Sequence, residues 1–163
     1  MIGRDVSTGC AVLAVLLAAA LVGCDGAIYT DPAGRGKLAD ITPKSSWTAR
    51  GDMQAAAQAI DGDVQTAARG DSAGGGDLIL DLGRTCFFQM VVLDHGRDMD
   101  SFARTAAVST SIDGRTYTDR YSAPGTRRVT ILYLPEPVLA RYVRIRAVRP
   151  GGRPWTLAEV YLH

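Results

Sequence analysis

The chain has 163 residues, room for one ordinary domain rather than two. Hydrophobic residues make up 47% of it, enough for a real core, although part of that figure is one N-terminal block. The formal net charge of +1 excludes a strong electrostatic pull toward nucleic acid or an acidic surface.

The first ten residues carry one basic side chain, Arg4, and residues 11–22 are all apolar. A run of about a dozen is too short to cross ~30 Å of hydrocarbon as a helix, and it fits the apolar region of a signal peptide. It ends in Leu21-Val22-Gly23-Cys24, which resembles a bacterial lipobox. That resemblance implies that residues 1–23 are removed and that Cys24 is lipidated, anchoring the protein to a membrane of the cell envelope. An ordinary signal peptide with an incidental cysteine is the alternative. Asp25 resembles the enterobacterial signal for retention at the periplasmic face of the inner membrane. Residues 24–43 then read as the lipidated N-terminus and a flexible tether, and residues 44–163 as the domain. Cys10 leaves with the signal peptide and Cys24 is acylated, so Cys86 stands alone without an intrachain disulfide. It sits in the apolar run Cys86-Phe87-Phe88, where a buried, inert thiol is expected.

Beyond the tether the pattern is that of strands. Leu78-Ile79-Leu80-Asp81-Leu82 is a short apolar run closed by Gly83, and residues 87–93 form a second, rich in β-branched and aromatic types. Ala106, Val108, Thr110 and Ile112 alternate with Thr105, Ser109 and Ser111. Asp113-Gly114 is a hairpin signal, and Thr116-Tyr117-Thr118 should resume the strand. Residues 129–134 predict another strand, stopped by Pro135 and Pro137. Residues 141–148 put Val143, Ile145 and Ala147 on one face and Tyr142, Arg144 and Arg146 on the other, and residues 160–162 end the chain as a strand. The only helical stretch is the Ala-rich segment 53–60. Many short strands with frequent turns predict an all-β sandwich or jelly roll of about eight antiparallel strands.

Catalytic signatures are missing. Histidine occurs only at His95 and His163, and no nucleophile elbow, zinc-binding helix or phosphate loop is present. Gly74-Gly75-Gly76 lacks the Lys or Ser of a phosphate cradle, and Asp98 and Asp100 lie on a polar loop where solvation explains them. The chain is therefore expected not to be an enzyme.

Five segments carry a family resemblance. Ala59-Ile60-Asp61-Gly62-Asp63-Val64-Gln65-Thr66, Asp81-Leu82-Gly83, Ser111-Ile112-Asp113-Gly114-Arg115-Thr116-Tyr117, Ala140-Arg141-Tyr142-Val143-Arg144-Ile145 and Trp155-Thr156-Leu157-Ala158-Glu159-Val160 follow in order. In type and spacing they resemble the motifs of discoidin domains, the coagulation factor 5/8 type C family, galactose-binding-like modules. One departure stands out: the tryptophan usual after the threonine is absent from Thr66-Ala67-Ala68-Arg69-Gly70. The resemblance implies a jelly-roll sandwich, a calcium site and a carbohydrate site. Transferred by position, the calcium ligands are the Gln58 carbonyl, Asp61 carboxylate, Asp63 carbonyl, Thr66 carbonyl and hydroxyl, Ala158 carbonyl and Glu159 carboxylate. That is roughly the seven oxygens Ca²⁺ prefers. The alternative is a turn in which Asp61 accepts backbone N–H groups and Glu159 pairs with an arginine.

Family ligand sites lie in loops at one end of the sandwich. Here those are residues 50–53, 67–77 and 94–104, the last holding His95, Arg97, Phe102 and Arg104 among three aspartates. Charged side chains bonding vicinal hydroxyls and an aromatic face under the ring are what sugar recognition asks for. The candidates are His95 and Arg97, with Arg69 and Asp71 from the neighbouring loop and Arg104 beyond. Trp47 and Trp155 are expected in the core, and Arg144 and Arg146 in surface salt bridges. The partner is expected to be a carbohydrate or envelope polysaccharide, and not a nucleic acid. A protein partner gripped by the same loops is the alternative.

Overall fold

The computed structural model describes residues 41–71, 73 and 75–163. The signal peptide, Cys24, Asp25 and most of the tether lie outside the described residues. Eight strands follow in order: β1 Thr48–Gly51, β2 Ala68–Arg69, β3 Asp77–Asp94, β4 Thr105–Ser111, β5 Thr118–Pro124, β6 Val129–Arg149, β7 Thr156–Leu157 and β8 Glu159–Leu162. All their pairings are antiparallel.

Two long strands make both layers. The first part of β3 pairs with the last part of β6, Leu78 opposite Ile145 and Leu80 opposite Val143. This part is flanked by β1 on one side and by β4 and then β5 on the other. The last part of β3 pairs with the start of β6, Val91 opposite Leu132, and β8 adds to its other edge. The ladder between the halves is broken twice. Between the pairs Asp81–Tyr142 and Cys86–Ala140 the surplus residues lie on β3, where Gly83 takes φ +78° and its N–H bonds to Asp81 Oδ1 at 2.9 Å. Between Phe88–Val138 and Met90–Tyr133 the surplus lies on β6 and contains Pro135 and Pro137, which have no N–H to give a ladder. These bulges turn one antiparallel strand pair into two facing layers.

The sequence reading expected each long strand as two. The breaks are where it placed them, but the backbone continues through as bent strands because extra residues at a bulge are absorbed without ending the pairing. Two other expectations shift. The Ala-rich segment forms only a 3₁₀ turn, Ala56–Ala59. The strand after Asp113-Gly114 resumes at Thr118, not Thr116. There Asp113 Oδ1 accepts Ser111 Oγ and the N–H groups of Arg115 and Thr116 at 2.9–3.0 Å, taking donors a tight hairpin would give its ladder. The Arg115 and Thr116 N–H groups, followed by the Ser111 hydroxyl, lower the Asp113 carboxyl to about 2.

Alternation along β3 and β6 sends Leu78, Leu80, Leu82, Leu132, Leu134, Val143 and Ile145 into one core with Phe88, Trp47 and Trp155. Burying each such side chain contributes about 1.5–3 kcal/mol. Cys86 is buried in the same cluster, as its run suggested. The outward face of β6 is charged, and its guanidiniums are paired: Arg144 Nε with Asp77 at 2.8 Å and Arg146 with Asp119 at 3.3 Å, with Arg141 bidentate on Asp81 at 2.8 and 2.9 Å.

Candidate functional site

The loops that leave β3 at Asp94, enter β6 at Val129 and precede β8 at Glu159 meet at one end of the sandwich. β2 and β7 draw a fourth segment there: Arg69 is opposite Thr156 on one side, and on the other it exchanges both backbone hydrogen bonds with Gln54, at 2.8 and 3.0 Å. The loop after β3 lies tight against residues 61–66. Gly96 has φ +66°, and a Cβ there would come within 2.8 Å of Ala158 Cβ and 3.1 Å of the Val64 carbonyl. Only glycine permits this approach.

Two adjoining depressions form where these segments meet, of about 170 and 420 Å³. They share Val64, Gln65, Gly96 and Arg97; Arg69 lines the smaller, Asp94, Met99 and Arg128 the larger. Arg69 and Arg97 are exposed, 28 residues apart in sequence and together on this recess. Arg128, unremarked in the sequence, joins them. It occupies the left-handed region at φ +65°, and its carbonyl accepts the His95 N–H at 2.7 Å.

His95 borders the smaller depression from beneath, and this corrects the expectation that it offers hydrogen bonds to a ligand. It is 2% exposed, and both ring nitrogens are engaged: Nδ1 with the Thr156 carbonyl at 2.8 Å and Nε2 with Thr130 Oγ1 at 3.0 Å. A carbonyl only accepts, so Nδ1 carries the proton and the Thr130 hydroxyl donates to Nε2. Burial pushes the imidazole below its ordinary value, against the opposing pull of the Thr156 carbonyl and the Asp94 charge. His95 is thus a neutral post tying the loop after β3 to β6 and β7.

Two further candidates fall away from the recess. Asp71 Oδ1 accepts the N–H groups of Ala73 and Gly75, both at 2.9 Å, and closes its own loop. Arg104 stacks on the Phe102 ring at 4.3 Å, while Phe102 itself is 6% exposed and packs 6.1 Å from the His95 ring. Phe102 therefore gives no platform for a sugar, and no Phe, Tyr or Trp lines the recess, whose one ring is that of the buried His95. A separate depression of about 290 Å³ at the β4–β5 turn includes Asp113 and Arg120, of which Asp113 Oδ1 is taken by its own turn and Arg120 Nε by Thr110 Oγ1 at 2.8 Å.

The oxygens assigned to calcium gather beside this end. Thr66 Oγ1 lies 2.7 Å from Asp61 Oδ2 and 3.0 Å from the Asp63 carbonyl. Asp61 Oδ1 takes the Asp63 N–H at 2.9 Å, and Asp63 Oδ1 that of Gln65 at 2.8 Å. The Asp63 N–H, then the Thr66 hydroxyl, hold the Asp61 carboxyl below its ordinary value, with Glu159 close enough to contribute. Glu159 is fully buried; its Oε1 accepts the Gly62 N–H and its Oε2 the Lys44 ammonium, which also lies 3.8 Å over the Tyr161 ring. The partner of Glu159 is therefore a lysine from the start of the domain. The set is all oxygen, the donor type a hard cation takes, although among the described residues no three carboxylate, histidine or cysteine side chains gather at one point.

Solved structures share this architecture. A family 32 carbohydrate-binding module from Clostridium perfringens NanJ, described in complex with galactose, superposes with a TM-score of 0.65 at 19% identity over 74% of this chain and 95% of that one. A second C. perfringens family 32 module, from a GH89 protein and described with GalNAc-β-1,3-galactose, gives 0.65 at 15% identity over 74% and 96%. The C-terminal domain of a chitobiase from Bacteroides fragilis gives 0.63 at 17% over 76% and 97%. No curated protein matches the chain by sequence. At these identities the neighbours establish the antiparallel sandwich. The model of the F5/8 type C domain matches residues 40–160, which includes all five motifs and the loops that form the recess, and on that ground the chain belongs to the F5/8 type C domain family.

Proposed function

We propose that the chain is a non-catalytic module that binds carbohydrate, a sugar of a cell-envelope polysaccharide, in the recess between residues 64–69 and 94–99. The observation that carries this is the convergence of Arg69, on β2, and Arg97, in the loop after β3, on one open depression where neither makes an ion pair among the described residues. A guanidinium presents several donors in a rigid fork, suited to vicinal hydroxyls. Met99, half exposed beside it, supplies apolar contact in place of a ring. The sugars named in the neighbouring structures agree with this ligand class. Cys24 is proposed to carry the lipid, with residues 24–43 as tether and Asp25 favouring the periplasmic face of the inner membrane.

A screen of the folded protein against glycans and envelope polysaccharides, with calcium present, should give a saturable ligand. Arg97→Ala should lower its affinity by about tenfold or more, as loss of a charged hydrogen-bonding group does. A clean negative from a folded sample would sink the reading. A second reading, an adaptor for a protein partner, is favoured by Ile131 and Tyr133, which stand 56% and 59% exposed on the outer face of β6.

The Asp61–Thr66 turn, with Gln58, Ala158 and Glu159, is proposed to hold a structural Ca²⁺ that ties β8 to the early loop. The ion would supply charge for two carboxylates and no chemistry. Chelation should lower the melting temperature by roughly 5 °C or more, the shift expected from about 2 kcal/mol of linked binding in a domain of this size. Asp61→Ala should abolish that response. An unchanged melting temperature in EDTA would remove calcium from the account.

A further inference from the structure

Hydrogen-bonding capacity around the recess is unevenly committed, although Asp94 and Asp98 on its lining keep their charge. Five nearby carboxylates are tied to donors of their own loops: Asp61 and Asp63 within their turn, Asp71 to Ala73 and Gly75, Asp94 Oδ1 to the Gly96 N–H at 2.8 Å, and Asp98 Oδ2 to the Ser101 hydroxyl at 2.6 Å. Asp100 is taken by Arg127 at 3.0 Å. The guanidiniums are not so engaged. Arg69, Arg97 and Arg128 line the recess, all three are exposed, and none has a carboxylate partner among the described residues. On the β6 face the reverse holds, since Arg141, Arg144 and Arg146 are each paired. Other arginines without an ion pair among the described residues, such as Arg50 and Arg115, stand apart, whereas these three gather on one recess.

From this we infer that the recess selects an anionic sugar, one whose ring carries a carboxylate or a phosphate, with Arg128 reading the charge beside Arg97 and Arg69. The inference rests on the carbohydrate reading and narrows it. Two points favour it over a neutral sugar. The recess has no Phe, Tyr or Trp on which a neutral ring would stack, and its one ring, His95, is buried, so polar contacts must supply more of the affinity. Charged acceptors form hydrogen bonds to guanidinium roughly twice as strong as neutral ones, often through two parallel N–H groups. The position of Arg128 is also specified by the fold, because its carbonyl holds the His95 N–H and so fixes the residue at the rim.

The test is a matched titration of the full folded protein. A hexuronate trisaccharide is compared with its methyl ester, which keeps ring shape and hydroxyls and removes the charge. A phosphorylated neutral trisaccharide and its unphosphorylated parent form the second pair. The inference predicts that at least one charged ligand binds about tenfold tighter than its uncharged twin at low ionic strength. The preference should fall as sodium chloride rises, and Arg128→Gln should bring the ratio toward one. Which pair shows it assigns the charge to carboxylate or phosphate. Equal binding of charged and uncharged twins in both pairs overturns the anionic inference and leaves the carbohydrate reading standing. No binding to any of the four, joined to a negative glycan screen, overturns both.

Discussion

Lys44→Met should destabilise the protein by about 3–5 kcal/mol in calcium-free buffer, measured by urea unfolding with an unchanged slope. The magnitude follows from what is left behind. Glu159 is fully buried, and its carboxylate has two recorded donors, the Lys44 ammonium and the Gly62 N–H. Removing the lysine leaves a buried charge held by one amide, the circumstance in which breaking an ion pair costs several kcal/mol. The contact of Lys44 with the Tyr161 ring is lost as well. Methionine keeps most of the aliphatic stem, so packing contributes little to the difference. Calcium should return part of the loss if it binds beside Glu159, because a second cation then compensates the carboxylate. A loss below about 1 kcal/mol would mean that water reaches Glu159 and that the pair is not a structural tie.

His95→Ala should cost about 2–4 kcal/mol, by opening a cavity and taking the imidazole from the Thr156 carbonyl, while the Thr130 hydroxyl keeps its bonds to the Thr126 backbone. Its pH dependence is separable from that loss. Burial lowers the folded pKa of His95 below its ordinary 6.5, so between the folded value and about 6.5 the unfolded chain binds more protons. Stability from this group is therefore complete above that range and declines as pH falls through it, with a slope of up to about 1.4 kcal/mol per pH unit. His95→Gln, which can both donate and accept, should lose less stability than His95→Ala and flatten the profile between neutral pH and pH 5. A variant with the same slope as the parent would place the titration elsewhere.

These two residues also show where reading the sequence stops. Strand positions were legible because Val143 and Ile145 alternate with Tyr142, Arg144 and Arg146 and because Leu78 to Leu82 is a short apolar run closed by Gly83, and both are local properties. The bulges were legible as interruptions, at Gly83 and at Pro135 and Pro137, but whether a strand ends or bends depends on the partner across the ladder. Trp47 and Trp155 were placed correctly in the core, and Arg144 and Arg146 in ion pairs, since their strands fixed their facing. The site was harder. His95, Arg97 and Arg104 lie in one loop and look equivalent as a string, yet the fold buries the first, exposes the second and turns the third onto Phe102. Lys44 and Glu159 are 115 residues apart, and nothing local marks them as partners. Arg128 entered the site only because the start of β6 lies beside the loop after β3.

The central claim is that the loop-end recess is where a sugar binds, and a ligand titration of the isotope-labelled protein followed by NMR tests it most directly. With the best oligosaccharide from the screen, the account predicts saturable shifts concentrated on the amides of Gln65, Gly96 and Arg97 and on the guanidinium resonances of Arg69, Arg97 and Arg128. Shifts that spare those residues and gather on the outer face of β6, around Ile131 and Tyr133, would contradict it.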